Sequence, residues 1–361
     1  MHLILRIYYS IKDEFMKKNE SLLLVLLLCS LLLFTGCAQA NDPLEPDQST
    51  GLTLEHFYET TGYVYDLRVT EDRVYVAEDQ AGFSIYNHKT DELVVDYYDA
   101  SYENMRLVQP IEKDSLLVVF VPYGGLNGIR VFDISDMNNI LNVATISGNT
   151  TDLFEMHAIR HSDGYEIIWS LDNGDNKIML GGRLAFDESV NSWLWTGGEA
   201  EYDFNFEIGK FDVVGDTLYV CSDQLGITIM QRGQYEPVIL GRFDTKGLPQ
   251  AVKVVDDFVY VADRQNGIVI ADATVKTNPV VINEFLTTGN SQELDVEGNI
   301  LAVASGSGGV FAYDISDPMN PVALGRIDDS VIGYTYNVEI QNGVIFASTR
   351  LGVAKISIDS L

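Results

Sequence analysis

The sequence has few basic residues. Of its 361 residues only 23 are Lys or Arg, whereas 53 are Asp or Glu, so the formal net charge at neutral pH is −30. A surface this acidic repels the phosphates of nucleic acids and the anionic headgroups of lipids. The composition therefore disfavours nucleic acid, which we do not expect as a partner, and permits, without requiring, a partner that carries positive charge. Solubility in a saline setting is the simpler explanation of the excess.

Cysteine is also scarce. The chain has three, Cys29, Cys37 and Cys221, and the first two lie within or just after an apolar N-terminal run. Cys221 is then alone in the rest of the chain, which predicts no intramolecular disulfide there. In the repeats described below it takes the position of a small residue such as Ala262. We therefore expect a buried thiol that packs in the core rather than a reactive one.

Signatures of common catalytic and metal sites are missing. The sequence has no Gly-x-Ser-x-Gly motif, and no glycine-rich loop leads into a helical pattern. His157 and His161 share a face of a predicted strand but would lie about 13 Å apart, too far for one zinc ion. The segment 172–177 resembles a calcium loop only in part, because the spaced Asp residues and the later Glu are absent. We therefore prefer a hairpin turn at this segment and keep calcium as the one metal that the sequence suggests. No cofactor is predicted.

What the sequence does have is an internal repeat with a period of about 42 residues. The segments 247–288 and 289–329 align almost without a gap. Gly247 aligns with Gly289, and Asp272 aligns with Asp314. A fixed period of this length indicates a solenoid, a propeller or another repeat array.

Each repeat contains four runs of β-branched and aromatic residues separated by Asp, Asn, Gly and Pro, which favour turns. In the first segment the runs are 251–255, 258–262, 268–272 and 279–285. Four short strands in about 42 residues predict one blade of a β-propeller. Further copies are recognised from runs that begin at residues 62, 116, 211 and 333, and the irregular span 151–200 is expected to hold another, with strands at 157–159, 166–169 and 183–186. We predict an all-β, seven-bladed propeller; six or eight blades remain alternatives because of that span.

The two ends of the repeat region predict how the ring closes. The last copy ends after its third strand, at Leu361, and the residues before the first copy, 54–61, match the outer strand 281–288 of the repeat. An N-terminal strand that completes the last blade would remove the open sheet edge. We therefore expect residues 52–361 to form one closed propeller.

The repeats resemble a known family. Strands that end in Tyr-Val-Ala, the strand Gly267–Asp272, and the segment Asp314–Pro321 are similar to the LVIVD-type propeller repeats of bacterial surface proteins. The resemblance covers residues 62–358 and implies a propeller fold, but it carries no catalytic or binding residues over to this chain. The Trp-Asp dipeptide of another propeller family is absent.

The N-terminal segment reads as an export signal. The apolar run 22–34 follows basic residues and, at 13 residues, is too short to span a membrane. It ends in Phe-Thr-Gly-Cys37, which resembles a bacterial lipobox and implies cleavage before Cys37 and lipidation of its thiol. We therefore assign 1–36 as a signal peptide, with Met16 as an alternative start, and 37–51 as a lipidated, flexible tether. Ala38 after the cysteine favours the outer membrane, on its periplasmic or cell-surface side.

Two groups of residues are candidate binding sites. Asp66, Glu293 and Asn337 precede the inner strands of three copies and are expected near the propeller axis, where their oxygens would bind a cation or an ammonium group. The alternative is that these polar residues simply face water. Trp193 and Trp195 alternate on one face of the irregular copy, where they either pack in the core or bind a partner or a sugar.

Three hypotheses for function follow. The first is a lipid-anchored, non-enzymatic scaffold of the cell envelope that binds another envelope protein, since no catalytic set is evident. The second is a metal-dependent envelope hydrolase or lyase with its site at the axis. The third is a carbohydrate-binding surface protein, which depends on the two tryptophans alone.

Overall fold

The structure is a computed structural model that describes residue 44 and residues 51–102, 104–122, 128–146, 152–172, 177–204, 206–233 and 236–359. The chain divides into two units, residues 1–43 and 44–361, and the following account concerns the second. The predicted signal peptide and Cys37 lie outside the described residues. So do residues 173–176 of the partial calcium loop. No helix in the described ranges is long and apolar enough to cross a membrane.

Seven antiparallel sheets of four strands form a seven-bladed propeller, as the repeat predicts. Blade 1 consists of β2 to β5, at Asp66–Val69, Arg73–Ala77, Phe83–Asn87 and Glu92–Tyr97. Blade 2 consists of β6 to β9, at Leu107–Ile111, Leu116–Val121, Gly128–Asp133 and Leu141–Ile146. Blade 3 consists of β10 to β13, at Asp152–His161, Gly164–Asp172, Lys177–Asp187 and Ser192–Asp203. Blade 4 consists of β14 to β17, at Phe211–Val214, Thr217–Cys221, Ile227–Gln231 and Val238–Phe243.

The remaining blades complete the ring. Blade 5 consists of β18 to β21, at Ala251–Val255, Phe258–Ala262, Ile268–Asp272 and Val280–Phe285. Blade 6 consists of β22 to β25, at Glu293–Glu297, Ile300–Ala304, Val310–Asp314 and Val322–Ile327. Blade 7 consists of β26 to β28, at Thr335–Gln341, Val344–Thr349 and Gly352–Ile358, and of β1, at Leu52–Glu59. In the described ranges the helical segments are α1, at Asp329–Ile332, and 3₁₀ turns at Glu112–Asp114 and Asp223–Leu225.

The ring closes as the sequence predicts. Strand β1 pairs antiparallel with β28, in a register that runs from Leu52 opposite Ile358 to Glu59 opposite Gly352. The N-terminal strand thus supplies the fourth strand of blade 7, and the hydrogen bonds of one blade join the two ends of the ring. This pairing covers the edge of β28 that would otherwise be open.

The irregular span 151–200 forms a complete blade, so the count of seven is confirmed. Its four strands are 10, 9, 11 and 12 residues long, whereas the strands of blade 5 have five or six residues. The longer strands displace the turn residues, so this copy does not align with the others. The repeat pattern is lost there although the topology is retained.

The hydrophobic core is divided among the interfaces between blades. Seven buried clusters each join residues of two neighbouring blades, and the last pair is blades 7 and 1. In the cluster between blades 5 and 6, Tyr260 and Ile270 pack with Leu301 and Phe311. Both faces of every sheet are therefore covered, which explains why strands such as β19 read as continuous apolar runs.

A glycine precedes or opens the third strand of most blades, and its backbone conformation explains the residue. Gly82, Gly226, Gly267 and Gly309 have φ between 71° and 96°. A Cβ atom on Gly309 would lie 2.0 Å from the carbonyl oxygen of Ile327, the last residue of the fourth strand in the same blade. Only glycine permits both the left-handed backbone and this close approach.

Candidate functional site: the propeller axis

A cavity of about 200 Å³ lies on the axis, between the inner strands of the blades. Each of the seven inner strands contributes one polar side chain to its lining, at the equivalent position. We call this set the first polar ring. Its members are Arg68, Gln109, His157, Asp212, Lys253, Asp295 and Glu339. Their equivalence follows from strand pairing, since Arg68, Asp212 and Lys253 lie opposite Tyr75, Tyr219 and Tyr260 of the second strands.

A second polar ring lies two residues earlier in the same strands, because residues two apart share one face of a strand. Asp66, Glu155, Lys210, Glu293 and Asn337 belong to it. Blades 2 and 5 have the apolar residues Leu107 and Ala251 at this position. The axis is therefore lined by charged groups of both signs.

The structure brings the three predicted axial residues into this second ring. The Asn337 Nδ2 atom donates a hydrogen bond to Asp66 Oδ1 at 2.6 Å. Glu293 forms an ion pair with Lys210 rather than with either of them. Asp66 and Asn337 are each only 2% exposed. The alternative that these residues simply face water is therefore wrong for this pair.

Arg68 connects carboxylates from three blades. Its Nη1 atom lies 3.2 Å from Asp66 Oδ1 and 3.3 Å from Glu339 Oε1, and its Nη2 atom lies 2.5 Å from Glu155 Oε1. On the other side of the axis, Lys253 Nζ lies 2.7 Å from Asp295 Oδ1. Charged hydrogen bonds of this kind offset the cost of removing the groups from water.

Several axial carboxylates also accept hydrogen bonds from the backbone of the next blade. Asp66 Oδ2 accepts from the Val108 amide at 3.0 Å, and Asp212 Oδ2 accepts from the Val254 amide at 2.8 Å. The same contact recurs between blades 6 and 7, where Asp295 accepts from the Ile340 amide. Glu339 closes the series by accepting from the Val69 amide of blade 1. These carboxylates therefore hold neighbouring inner strands together.

Burial changes the titration of the axial groups. It raises the pKa of Asp66 and of Glu293, although the charges of Arg68 and Lys210 respectively oppose the shift. It raises the pKa of Glu339 to about 8, against the lowering effect of Arg68. For Glu155 burial also raises the pKa, but the charges of Arg68 and Lys210 outweigh it and the net direction is downward. The axis thus contains carboxyl groups that differ widely in proton affinity.

Sequence reasoning missed the whole first ring. A signal for it was present, because each inner strand has a polar residue between apolar ones, as in Leu67-Arg68-Val69 and Val252-Lys253-Val254. Aligning the copies places these residues in one column. That they meet at the axis follows only once the ring is closed.

The other predicted residues lie elsewhere. Trp193 and Trp195 share a face, as predicted, and both are partly buried against the core between blades 2 and 3. The ring centroids of Trp169 and Trp195 are 5.9 Å apart. The structure therefore places both tryptophans in the packing alternative.

The histidines and the cysteine have separate surroundings. His157 Nε2 lies 2.9 Å from the Phe211 carbonyl oxygen, and His161 Nε2 lies 3.1 Å from Glu166 Oε2. Cys221 is 1% exposed, and burial raises the pKa of its thiol. No group of three or more His, Cys, Asp or Glu residues in the described part of the chain is arranged to hold a metal ion.

A second surface stands out by its composition. Tyr63, Tyr65 and Tyr336 are 54%, 46% and 38% exposed, and together with Arg350 they line a cavity of about 240 Å³ at the junction of blades 1 and 7. A neighbouring cavity of about 560 Å³ shares Tyr63 and Arg350 and includes the exposed Leu351. We call these five residues the tyrosine face. Tyr65 and Tyr336 immediately precede Asp66 and Asn337, so the face lies at the end of the ring where those inner strands begin.

Neighbouring side chains contact two rings of the tyrosine face. The Arg106 guanidinium lies 4.8 Å from the centroid of the Tyr65 ring and 3.4 Å from Asp79 Oδ1. The ring centroids of Tyr334 and Tyr336 are 5.0 Å apart. A cation over an aromatic face and ring packing both restrict side-chain rotation. The rings of Tyr65 and Tyr336 are thus partly ordered before any partner binds.

Comparison with known proteins supports the fold. Residues 246–287 and 288–329 match the family model of the LVIVD repeat, so the chain carries two adjacent LVIVD repeats. Among solved structures, the computationally designed Ika8 protein is similar, with a TM-score of 0.55 over 84% of this chain and 98% of that one. The identity is 9%, so this likeness concerns the fold alone. No curated protein matches the chain.

Proposed function

We propose that this LVIVD-repeat propeller is a non-enzymatic scaffold, anchored in the cell envelope by a lipid on Cys37, that binds another envelope protein. The observation that carries the proposal is the tyrosine face. Exposed tyrosines and an arginine beside two neighbouring cavities are among the residue types that dominate binding energy at protein interfaces.

The architecture suits a rigid binding platform. The blades are tied by core clusters at every interface, by carboxylate–backbone contacts at the axis and by the β1–β28 pairing. Tyrosine adds contact area with little loss of side-chain entropy, since its ring has few rotatable bonds. A partner would therefore meet a surface that needs little reorganisation on binding.

The chemistry of the face also indicates the kind of partner. The apolar rings would bury against aliphatic or aromatic side chains, and the exposed Arg350 would pair with a carboxylate. The strongly acidic body of the protein favours basic groups around that contact. We therefore expect an apolar patch that contains an acidic residue and is surrounded by Lys and Arg.

The location rests on the sequence. The apolar run 22–34, the lipobox-like Phe-Thr-Gly-Cys37 and the polar segment that follows support export and lipid anchoring, with Ala38 favouring the outer membrane. Two or more acyl chains hold a protein on a membrane without a spanning helix. An anchored ring would keep its binding face near other envelope proteins.

The test is co-purification from gently cross-linked, detergent-solubilised membranes. Wild type is compared with Cys37→Ser, which removes the anchor, and with Tyr63→Ser/Tyr336→Ser, which removes two rings of the face. The matched control is Val238→Ser/Ile239→Ser, at exposed apolar positions of β17 in blade 4. A defined envelope protein recovered with wild type and control, and lost with both other variants, is the expected result. Equal recovery with the tyrosine variant would contradict the proposal.

A further inference from the structure

The axial cavity contains more negative than positive groups. Six carboxylates line it or contact its lining residues directly: Asp66, Glu155, Asp212, Glu293, Asp295 and Glu339. Three side chains oppose them with a permanent positive charge: Arg68, Lys210 and Lys253. Burying unbalanced charge is costly, so the site favours either protonation of carboxylates or a bound cation.

One residue of the cavity lining has an oxygen atom that could accept a hydrogen bond from such a cation. Asn337 lines the cavity and is 2% exposed, and its Oδ1 atom accepts no hydrogen bond from any described residue. The orientation of this amide is fixed, because its Nδ2 atom is needed to donate to the Asp66 carboxylate at 2.6 Å. A buried acceptor without a donor is unfavourable, so the site favours a ligand with N–H or O–H groups.

We propose that the axial cavity binds the primary ammonium group of a small organic molecule, with Asn337 Oδ1 and the carboxylates of Glu155 and Glu293 as its acceptors. An ammonium group brings one positive charge and three hydrogen-bond donors, which matches both the charge excess and the free acceptor. The cavity of about 200 Å³ fits a compact amine and is smaller than the sites of drug-sized ligands.

An amine fits this lining better than a metal ion does. Calcium needs six to eight oxygen ligands at short range, and a zinc site needs converging His, Cys or carboxylate groups. The described residues contain no such group of three. Ammonium binding requires only that acceptors lie within hydrogen-bond reach around one nitrogen, and Asn337, Glu155 and Glu293 belong to one ring of the same cavity.

Binding is expected to compete with protons. Burial raises the pKa of Asp66, Glu293 and Glu339, so these groups hold protons more strongly than exposed carboxyls do. A bound ammonium would stabilise their ionised forms, and affinity would therefore fall as the pH falls. The charged and titratable groups that face the cavity from all the inner strands are Asp66, Arg68, Glu155, His157, Lys210, Asp212, Lys253, Glu293, Asp295 and Glu339.

The experiment measures calorimetric binding and thermal unfolding of the full-length protein with propylammonium. Tetramethylammonium, potassium and calcium serve as cations without N–H groups. We expect one site per chain for propylammonium, weaker binding at pH 5 than at pH 8, and no comparable binding of the other cations. Asn337→Leu should weaken binding about tenfold or more, because a hydrogen bond to a charged group is lost.

Two further variants keep the test decisive. Glu293→Gln removes one proposed carboxylate acceptor and should also weaken binding, even if Asn337→Leu does not fold. Glu297→Gln, on the same strand but bonded to the β26–β27 turn, should bind as wild type does. The proposal is overturned if folded wild type binds no propylammonium. In that case Asn337 Oδ1 accepts hydrogen bonds from water only. Equal binding by tetramethylammonium, or unchanged binding by Glu293→Gln and Asn337→Leu, would also overturn it.

Discussion

Arg68 Nη2 lies 2.5 Å from Glu155 Oε1, although the two residues belong to blades 1 and 3, which are not neighbours. Blade 2 lies between them in the ring, so the two side chains meet across part of the axis. The same guanidinium also contacts Asp66 of its own blade and Glu339 of blade 7. One side chain therefore joins blades 1, 3 and 7, and the charge balance of the axis depends on it.

Replacing Arg68 with methionine should strongly destabilise the protein. The change keeps much of the side-chain volume but leaves three largely buried carboxylates without their shared cation, and breaking such a network typically costs about 3–5 kcal/mol. Denaturant unfolding of Arg68→Met measures the loss. The loss should be smaller at pH 5 than at pH 8, since protonation neutralises the carboxylates.

The control for this prediction is Lys89→Met. Lys89 pairs with Asp72 on the surface, where water screens both charges. Its unfolding midpoint should stay near that of wild type. An Arg68→Met protein as stable as the control at pH 8 would mean that the axial network contributes little.

The glycine before the third strand of blade 6 should resist substitution. Gly309 has φ of 81°, and a Cβ there would lie 2.0 Å from the Ile327 carbonyl oxygen. Gly298 in the same blade has φ of 58° but no atom within 4 Å of its Cβ position. Gly298→Ala should cost about 1–2 kcal/mol of unfolding free energy, from backbone strain alone. Gly309→Ala should cost clearly more, and equal losses would contradict the close approach.

Asp263 should make the stability of the protein depend on pH. This carboxyl is fully buried beside Thr245, and burial raises its pKa from 3.8 to about 7. Between these values the native state keeps a proton that the unfolded chain releases. The stability that the buried Asp263 carboxyl contributes in its protonated form is thus complete below about pH 3.8 and is lost as the pH rises through about 7. Asp263→Asn, a permanent mimic of the neutral form, should lose less stability than wild type between pH 4 and pH 8. Parallel pH profiles of the two unfolding midpoints would contradict this.

Cys221 should be inert in the native state. Its side chain is buried among Tyr219, Ile227 and Val261, and the thiolate that reacts with disulfide reagents is disfavoured there. In a Cys29→Ser/Cys37→Ser background, labelling by an aromatic disulfide should occur at the rate of unfolding and become fast in denaturant. Rapid labelling under native conditions would show that blade 4 opens on its own.

Much of the fold could be predicted because the repeat is local. The alignment of Gly247 with Gly289 gives the blade period, and the match of residues 54–61 to 281–288 gives the closing strand. Blade 3 was harder, since its longer strands move the turns that mark the other copies. Even there, the strand runs 157–159, 166–169 and 183–186 that the sequence indicates lie in β10, β11 and β12.

The candidate site could be predicted only in part. Asp66 and Asn337 were expected to meet near the axis because they occupy the same position in neighbouring copies. The partners of Arg68 could not be found in this way, since Glu155 and Glu339 lie 87 and 271 residues away and reach it only across the closed ring. The tyrosine face was visible only as the repeated patterns Tyr63-Val-Tyr65 and Tyr334-Thr-Tyr336, whose exposure depends on the packing of blades 7 and 1.

Photo-crosslinking in intact cells tests the scaffold function most directly. Benzoylphenylalanine is placed at position 63 of the tyrosine face or, as a control, at position 238 of β17, since both positions are more than half exposed. The account predicts a single defined adduct with an envelope protein from position 63, lost when Cys37→Ser releases the ring from the membrane, and none from position 238. No adduct from position 63, or the same adducts from both positions, would contradict it.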